Sequence, residues 1–342
     1  MKKIRIAQIG MNRYSHSGEI FETLKLLPDL FEIAGYALVE DERETCANKL
    51  KYLEGYPELT LEEILNDPTI EAVTVETDEI HLNKYTQMAI DHGKHIHMEK
   101  PGSQDLKSFQ RLIESARKSG KVFHIGYMYR YNPFIADAIK RAQEGEFGSI
   151  YSDEAHMSRL DKADCREWFG TFKGGMMFYL GCHLVDIVLR IQGKPQRVIP
   201  LNKATGRDGI YTEDFSFAVL EYPNGVSFVR ASGAEVGGSS RRQMVICGSE
   251  KTVEIAPLEE SSKDDPSIVA ELYTKRVERE RIDEKGHTSD KEFISSHYGR
   301  YDRMMKSFAA FVRGEAENPY TYDYELELFR TVLECCGMEV SK

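Results

Sequence analysis

The sequence predicts an α/β protein: a doubly wound parallel sheet in its first third, followed by a largely antiparallel sheet backed by helices. Three observations carry this. Up to Tyr127, short apolar runs rich in β-branched residues alternate with helical patterns, as in a parallel sheet covered on both faces. Beyond Tyr127 the strands become longer and alternate apolar with polar residues, which suits antiparallel pairing with one covered face. The length of 342 residues exceeds what one core usually organises, so two domains are expected. The change of character places them at 1–126 and 127–342.

The first strands are expected at Ile4–Ile9, Glu32–Val39, Ala72–Glu76, His95–Met98 and Val122–Gly126. Helices are expected between them near Gly18–Leu27, Glu42–Leu53, Leu61–Leu65, Asn83–His92 and Leu106–Ser119. Gly93 and Gly120 each close a helical stretch, where a left-handed glycine cap is expected. In the second domain a helix is expected at Pro133–Gln143, a strand at Ile150–His156 and a long helix at Gly175–Ile191. Strands follow at Phe215–Tyr222, Val226–Ala231, Gln243–Cys247 and Thr252–Ile255. Pro223-Asn224-Gly225 reads as a tight hairpin turn, with proline presetting φ and Asn-Gly accepting positive φ. Ser261–Asp290 is polar and without firm period, so it reads as an excursion or a mobile loop. Helices near Arg300–Val312 and Tyr324–Cys336 close the chain.

The net charge of −11 argues against nucleic acid or an anionic membrane surface as partner. No apolar run approaches the roughly 20 residues that span a bilayer, and the start shows no signal-peptide pattern. The six cysteines lack CxxC or metal spacing. Reduced thiols in a cytoplasmic protein are expected. Cys182 lies near the suspected site and reads as a small buried filler.

Chemistry is concentrated in a few motifs. The first strand runs into Gly10-Met11-Asn12-Arg13-Tyr14-Ser15. Only the first glycine of a G-x-G-x-x-G fingerprint is kept. Asn12 tolerates left-handed angles and Ser15 allows close helix approach. The second strand ends in Glu40-Asp41, acids placed to accept from adenosine ribose hydroxyls. They favour NAD over NADP, with Arg43 as a counterweight. The fourth strand ends in Glu99-Lys100-Pro101, a lysine where open α/β sheets bind ligands.

Taken in order, Gly10, Gly93-Lys94-His95, Glu99-Lys100-Pro101 and Gly126 to Pro133 resemble one family. Gly174 to Asp186, Glu213-Asp214-Phe215 and Asn224-Gly225 continue the resemblance. It is the glucose–fructose oxidoreductase / inositol dehydrogenase / rhizopine-catabolism (Gfo/Idh/MocA) family. The resemblance implies an N-terminal Rossmann domain and a C-terminal domain with a large open sheet for substrate and oligomer contacts. It implies NAD(P), a sugar, polyol or related ketone as substrate, and association into homodimers or homotetramers.

By the same resemblance Lys100 is the catalytic lysine, hydrogen-bonded to the substrate oxygen. His183 exchanges the hydroxyl proton. Tyr179 stands where many members carry an aspartate, four residues before the histidine, and replaces a charge with a phenol that can hydrogen-bond or stack on a sugar. Asp186 and Arg130 are candidate substrate contacts. For Arg130 a structural bridge at the domain junction carries equal weight, and for Asp186 a helix-surface acid nearly so. Gly10, Asn12, Arg13, Glu40, Thr77, Glu99 and Lys100 form the expected cofactor set. Asp78-Glu79 replaces the family's Pro-Asn, and His81 falls one residue off its histidine position.

His92, His95 and His97 lack converging ligands, so no metal is expected. A nucleotide-binding sensor without catalysis is the alternative from another class. A third reading is an enzyme that keeps its nicotinamide and exchanges hydride between two sugars.

Overall fold

The computed structural model describes residues 2–261, 271–283 and 285–340. The chain divides into two compact units, Met1–Tyr127 with Tyr301–Leu326, and Met128–Arg300 with Glu327–Lys342.

In the first unit the elements run β1 (Ile4–Ile9), α1 (Ser17–Leu26), β2 (Phe31–Ala37), α2 (Glu42–Thr45), α3 (Leu61–Asn66), β3 (Ala72–Val75), α4 (Leu82–Asp91), β4 (His95–Met98), α5 (Leu106–Ser119) and β5 (Phe123–Ile125). The five strands form one parallel sheet in the order β2-β1-β3-β4-β5. Every residue of β3 is buried, which explains its unbroken apolar and β-branched run. Helix α5 buries Phe109, Leu112, Ile113 and Ala116, one stripe at helical spacing. Each such large side chain contributes about 1.5–3 kcal/mol by leaving water. Gly93 and Gly120 adopt φ of 69° and 65° and close α4 and α5 as expected. Strand order reverses between β1 and β3, so the crevice at their carboxyl ends is the topological switch point.

The second unit holds α6 (Pro133–Gln143), β6 (Ile150–Ser158), α7 (Ala163–Trp168), a π-helical turn at Met177–Gly181, and α8 (Cys182–Gln192). Then come β7 (Arg197–Pro200), β8 (Phe215–Tyr222), β9 (Gly225–Ser232), β10 (Gln243–Gly248) and β11 (Lys251–Ile255). They are followed by β12 (Glu260–Ser261), β13 (Glu271–Tyr273), β14 (Lys275–Arg281), β15 (Thr288–Ile294) and β16 (Tyr298–Gly299). The large sheet has eight strands, β15-β14-β11-β10-β6-β9-β8-β7, with β6 and β9 its parallel pair. Strands β12, β13 and β16 make a small separate sheet. Helix α9 (Asp302–Val312) belongs to the first unit again, and α10 (Tyr322–Cys335) starts in it and ends in the second.

Three expectations change. The loop expected at Ser261–Asp290 contains β14 and the start of β15, which extend the large sheet; its residues 262–270 and 284 lie outside the described residues. Its strands escape the apolar pattern because they are held by charge pairs, Arg279 with Glu254 at 2.9 Å and Lys251 with Glu280 at 3.1 Å. The Pro223-Asn224 turn joins β8 to β9, but Gly225 is absent from the positive-φ residues. A side chain there would strike the backbone of Tyr151 instead. The long helix expected from Gly175 starts there, but passes through a π turn at Met177–Gly181 before its α-helical stretch from Cys182.

Candidate active site

The cofactor side is built on the switch point. Gly10 has φ of 86°, and a β-carbon there would collide with Thr77. Asn12 does not use a left-handed angle. Its side-chain oxygen accepts from the backbone N–H groups of Tyr14 at 2.8 Å and Ser15 at 3.0 Å, which shapes the turn leading into α1. His16, at the N-cap of α1, makes no side-chain cap, and among the described residues only the Ser17 amide is met from outside the helix, by the Ser15 hydroxyl at 3.3 Å. The remaining first-turn amides with the helix dipole suit a pyrophosphate. Lys49 donates to the carbonyl oxygens of Asn12, at 2.9 Å, and Ser15. It brings a mostly buried cation against the same turn.

The opposite wall is acidic. Glu79 is fully buried and accepts from Asn12 Nδ2 at 2.8 Å, while its other oxygen has no hydrogen-bond partner. Burial pushes its carboxyl up to about 8, with Lys100 pulling the other way. Glu42 accepts from the Thr77 hydroxyl at 2.6 Å and the Val39 amide at 2.8 Å. Burial outweighs those bonds and raises it to about 7. Glu76 is also fully buried, 3.7 Å from His97 Nε2, and burial with Glu99 nearby raises it well above the ordinary carboxylate range. The Lys100 ammonium lies 3.4 Å from Glu99 and is 4% exposed. Burial raises Glu99 too, against the pull of Lys100.

Toward β2, Glu40 takes a positive φ of 51°. Its carboxylate accepts from Lys84 at 2.6 Å and the Tyr85 hydroxyl at 2.7 Å, contacts that lower it to about 2. His81, offset by one position in the sequence, lies 3.8 Å from Glu40. Arg43 pairs with Glu58. Arg13 lies exposed over the Tyr14 ring at 4.9 Å.

In the second unit, α8 carries His183, which is 5% exposed. Its ring stands edge-on to Tyr129 at 5.2 Å. The Tyr129 hydroxyl donates to Glu259 at 2.6 Å, and burial, aided by Glu259, pushes it up to about 12. Three residues after His183, Asp186 forms a buried two-bond pair with Arg130, at 2.9 Å to Nε and 2.8 Å to Nη2. That closes Asp186 and Arg130 on one another. The π turn holds Tyr179, a local widening often found at functional sites. The Tyr179 ring meets Trp168 edge-on at 5.1 Å and Phe169 at 5.5 Å. The Arg159 guanidinium lies 5.0 Å above the ring, and its Nη2 donates to the phenol oxygen at 3.4 Å. Arg159 also pairs with Asp161 at 2.6 Å. Burial opposes its charge, but Tyr179 and Asp161 raise its basicity.

The first unit brings together Gly10, Asn12, Thr77, Glu99 and Lys100, with Arg13 and Glu40 at the edges. The second brings together Tyr179, His183, Asp186 and Arg130. Lys49, Arg159 and Trp168 were missed by the sequence reading, because nothing local distinguishes them. Trp168, the sole tryptophan, had a faint signal in its neighbouring Phe169 and Phe172. The histidines near β4 find protein partners. His95 Nδ1 accepts from the Val122 amide at 3.0 Å. His97 meets His124 at 2.8 Å and is lowered to about 3 by burial. Among the described residues no group of three His, Cys, Asp or Glu side chains is arranged to hold a metal, and the six cysteines are free thiols.

This arrangement fits a dinucleotide: a glycine turn no side chain could occupy, a helix start whose N-cap residue makes no side-chain cap, a partly buried cation at the turn and an acid at the end of β2. The chain is an NAD(P)-dependent oxidoreductase. Residues 4–127 match the model of the oxidoreductase family with an NAD-binding Rossmann fold, and residues 135–254 match the GFO/IDH/MocA C-terminal domain. The chain belongs to the Gfo/Idh/MocA family. It is 28% identical to scyllo-inositol 2-dehydrogenase (NADP(+)) IolW of Bacillus subtilis, over 100% of this chain and 95% of that one. It is 24% identical to D-glucoside 3-dehydrogenase of Escherichia coli, over 63% and 65% of the two chains. Its fold matches KijD10, a 3-ketoreductase of Actinomadura kijaniata solved with NADP, at a TM-score of 0.76 and 17% identity, covering 97% and 96%. Among the described residues no helix is long and apolar enough to cross a membrane.

Proposed function

We propose that the protein oxidises a ring alcohol of a sugar or inositol-like polyol, and reduces the corresponding ketone, with NAD or NADP. The observation that carries this reading is Lys100, a buried ammonium at the carboxyl end of β4, beside Glu99. A lysine so placed is suited to polarising a substrate oxygen rather than to solubility. The names of IolW and the D-glucoside dehydrogenase point to the same class of alcohol.

Gly10, Asn12, Arg13, Glu40 and Thr77 would hold the cofactor, with Lys49 beneath the turn. When bound, the nicotinamide accepts or supplies the hydride. Lys100 hydrogen-bonds the alcohol oxygen and stabilises the negative charge that develops there. His183 takes the hydroxyl proton during oxidation and returns it during reduction. Tyr179 offers a ring for a sugar face and a phenol for one of its hydroxyls. Arg130 and Asp186 brace the helix that carries His183.

The test is a panel of inositols, sugars and keto-sugars with NAD and NADP, followed by the absorbance of reduced nicotinamide. Turnover of at least one ring alcohol or ketone is expected, with a change in Trp168 fluorescence as it binds. Cofactor binding without turnover across the panel would contradict the reading and favour a sensor.

A further inference from the structure

The strand order places a dinucleotide across the carboxyl ends of β1 and β3. With adenosine toward Glu40 at the end of β2, the nicotinamide end falls on the other side of the glycine turn, where β3 and β4 end. The residues at that end are unusual for a site that takes a cationic ring in one redox state and a neutral ring in the other. Glu79 spans the crevice to Asn12. One of its oxygens has no hydrogen-bond partner, although the side chain is fully buried. Its situation differs from that of Glu42, whose oxygens both accept bonds. Glu76 also keeps both oxygens buried without a hydrogen-bond partner, but it sits 3.7 Å from His97 Nε2 and its side chain makes no bond to the glycine turn, whereas Glu79 is held to Asn12.

We propose that Glu79 lets the protein tell the oxidised cofactor from the reduced one: its buried carboxyl releases a proton to solvent when the cationic ring binds, and keeps it when the neutral ring binds. The proposal rests on the dinucleotide lying at the switch point. No bond to carbon or hydride changes in this step. The O–H bond of the carboxyl breaks, its electron pair stays on oxygen, and the carboxylate then faces the ring charge.

The charged surroundings set the direction. Lys100 after β4 and Lys49 at the glycine turn favour the carboxylate, while Asp78 beside it and Glu99 after β4 oppose it. Burial dominates, and without ligand Glu79 ionises only near about 8. A bound cation adds attraction for the ionised form in a poorly screened site. The oxidised cofactor therefore binds more tightly as pH rises toward that value, by linkage. The pyrophosphate is common to both redox forms, so its effect cancels in the ratio of their affinities.

The experiment measures Kd for NAD+ and NADH, and for NADP+ and NADPH, on the full-length protein between about pH 6 and about pH 9. Proton release is read by calorimetry in buffers of different ionisation enthalpy. The preference for the oxidised form should grow with pH, by up to about tenfold per unit for one linked proton, and then level off. Glu79→Gln should flatten that dependence while keeping the Asn12 contact and both bindings. Glu76→Gln should keep the wild-type slope. An affinity ratio constant with pH, or an unchanged slope in Glu79→Gln, overturns the role of Glu79 while leaving the dinucleotide site intact. Failure of every cofactor form to bind overturns the dinucleotide reading and this proposal with it.

Discussion

At the scale of single residues, the candidate site joins groups whose chemistry is legible from neighbours with groups visible only after folding. Lys100 was legible because its strand and the residues around it are contiguous. Arg159 was not, because its meaning comes from a ring twenty positions away in sequence. Asp186 was legible as a candidate substrate contact, but its pairing with Arg130 was not, because the two lie 56 positions apart in sequence. Replacing Arg130 by methionine should then strand a buried carboxylate and cost about 3–5 kcal/mol of unfolding free energy, measured by urea denaturation. A loss below about 1 kcal/mol would show that the pair contributes little. For His183→Asn, kcat should fall about 10²–10⁴-fold while cofactor Kd changes little. Tyr179→Phe should cost less, because the ring contacts with Trp168 and Phe169 survive.

At the scale of elements, the parallel strands were legible because their burial on both faces leaves uniform apolar runs. Strands β14 and β15 were not, since their exposed faces hold charges paired across the ladder. The π turn was hidden for another reason: π and α hydrogen bonding share one apolar pattern, and only backbone geometry separates them. The start of α3 shows how local chemistry fixes an end. Thr60 accepts from the Glu63 amide at 3.1 Å, and the Glu63 carboxylate accepts from the Thr60 amide at 2.7 Å, a reciprocal capping box. Thr60→Ala should lower stability by about 1 kcal/mol, seen as a shift of the urea midpoint at constant slope. An unchanged midpoint would deny the cap its role.

At the scale of the whole molecule, an acidic chain concentrates buried acids around its glycine turn and the ends of β3 and β4, and this has a consequence for stability. Glu42 and Glu79 are raised by burial to about 7 and about 8 from an ordinary 4.5. A raised folded-state value means stability that is full below about pH 4.5 and lost as pH climbs through those two values. The apoprotein should therefore melt at progressively lower temperature from about pH 5 to about pH 9. Glu79→Gln should flatten part of the decline and be more stable at the alkaline end, on the order of a few kcal/mol. Parallel curves for the two proteins would contradict this. The sequence revealed the acids here but not their protonation, which depends on burial that only the fold supplies.

The central claim is that Lys100 acts chiefly on the substrate oxygen, and that its place in the expected cofactor set adds little to cofactor affinity. The direct test is Lys100→Met, with NADH affinity and turnover measured on the same preparation once a substrate is in hand. Turnover should fall by about 10²-fold or more with NADH affinity within about threefold of wild type, a difference below 1 kcal/mol. Near-wild-type turnover in that variant would contradict the claim.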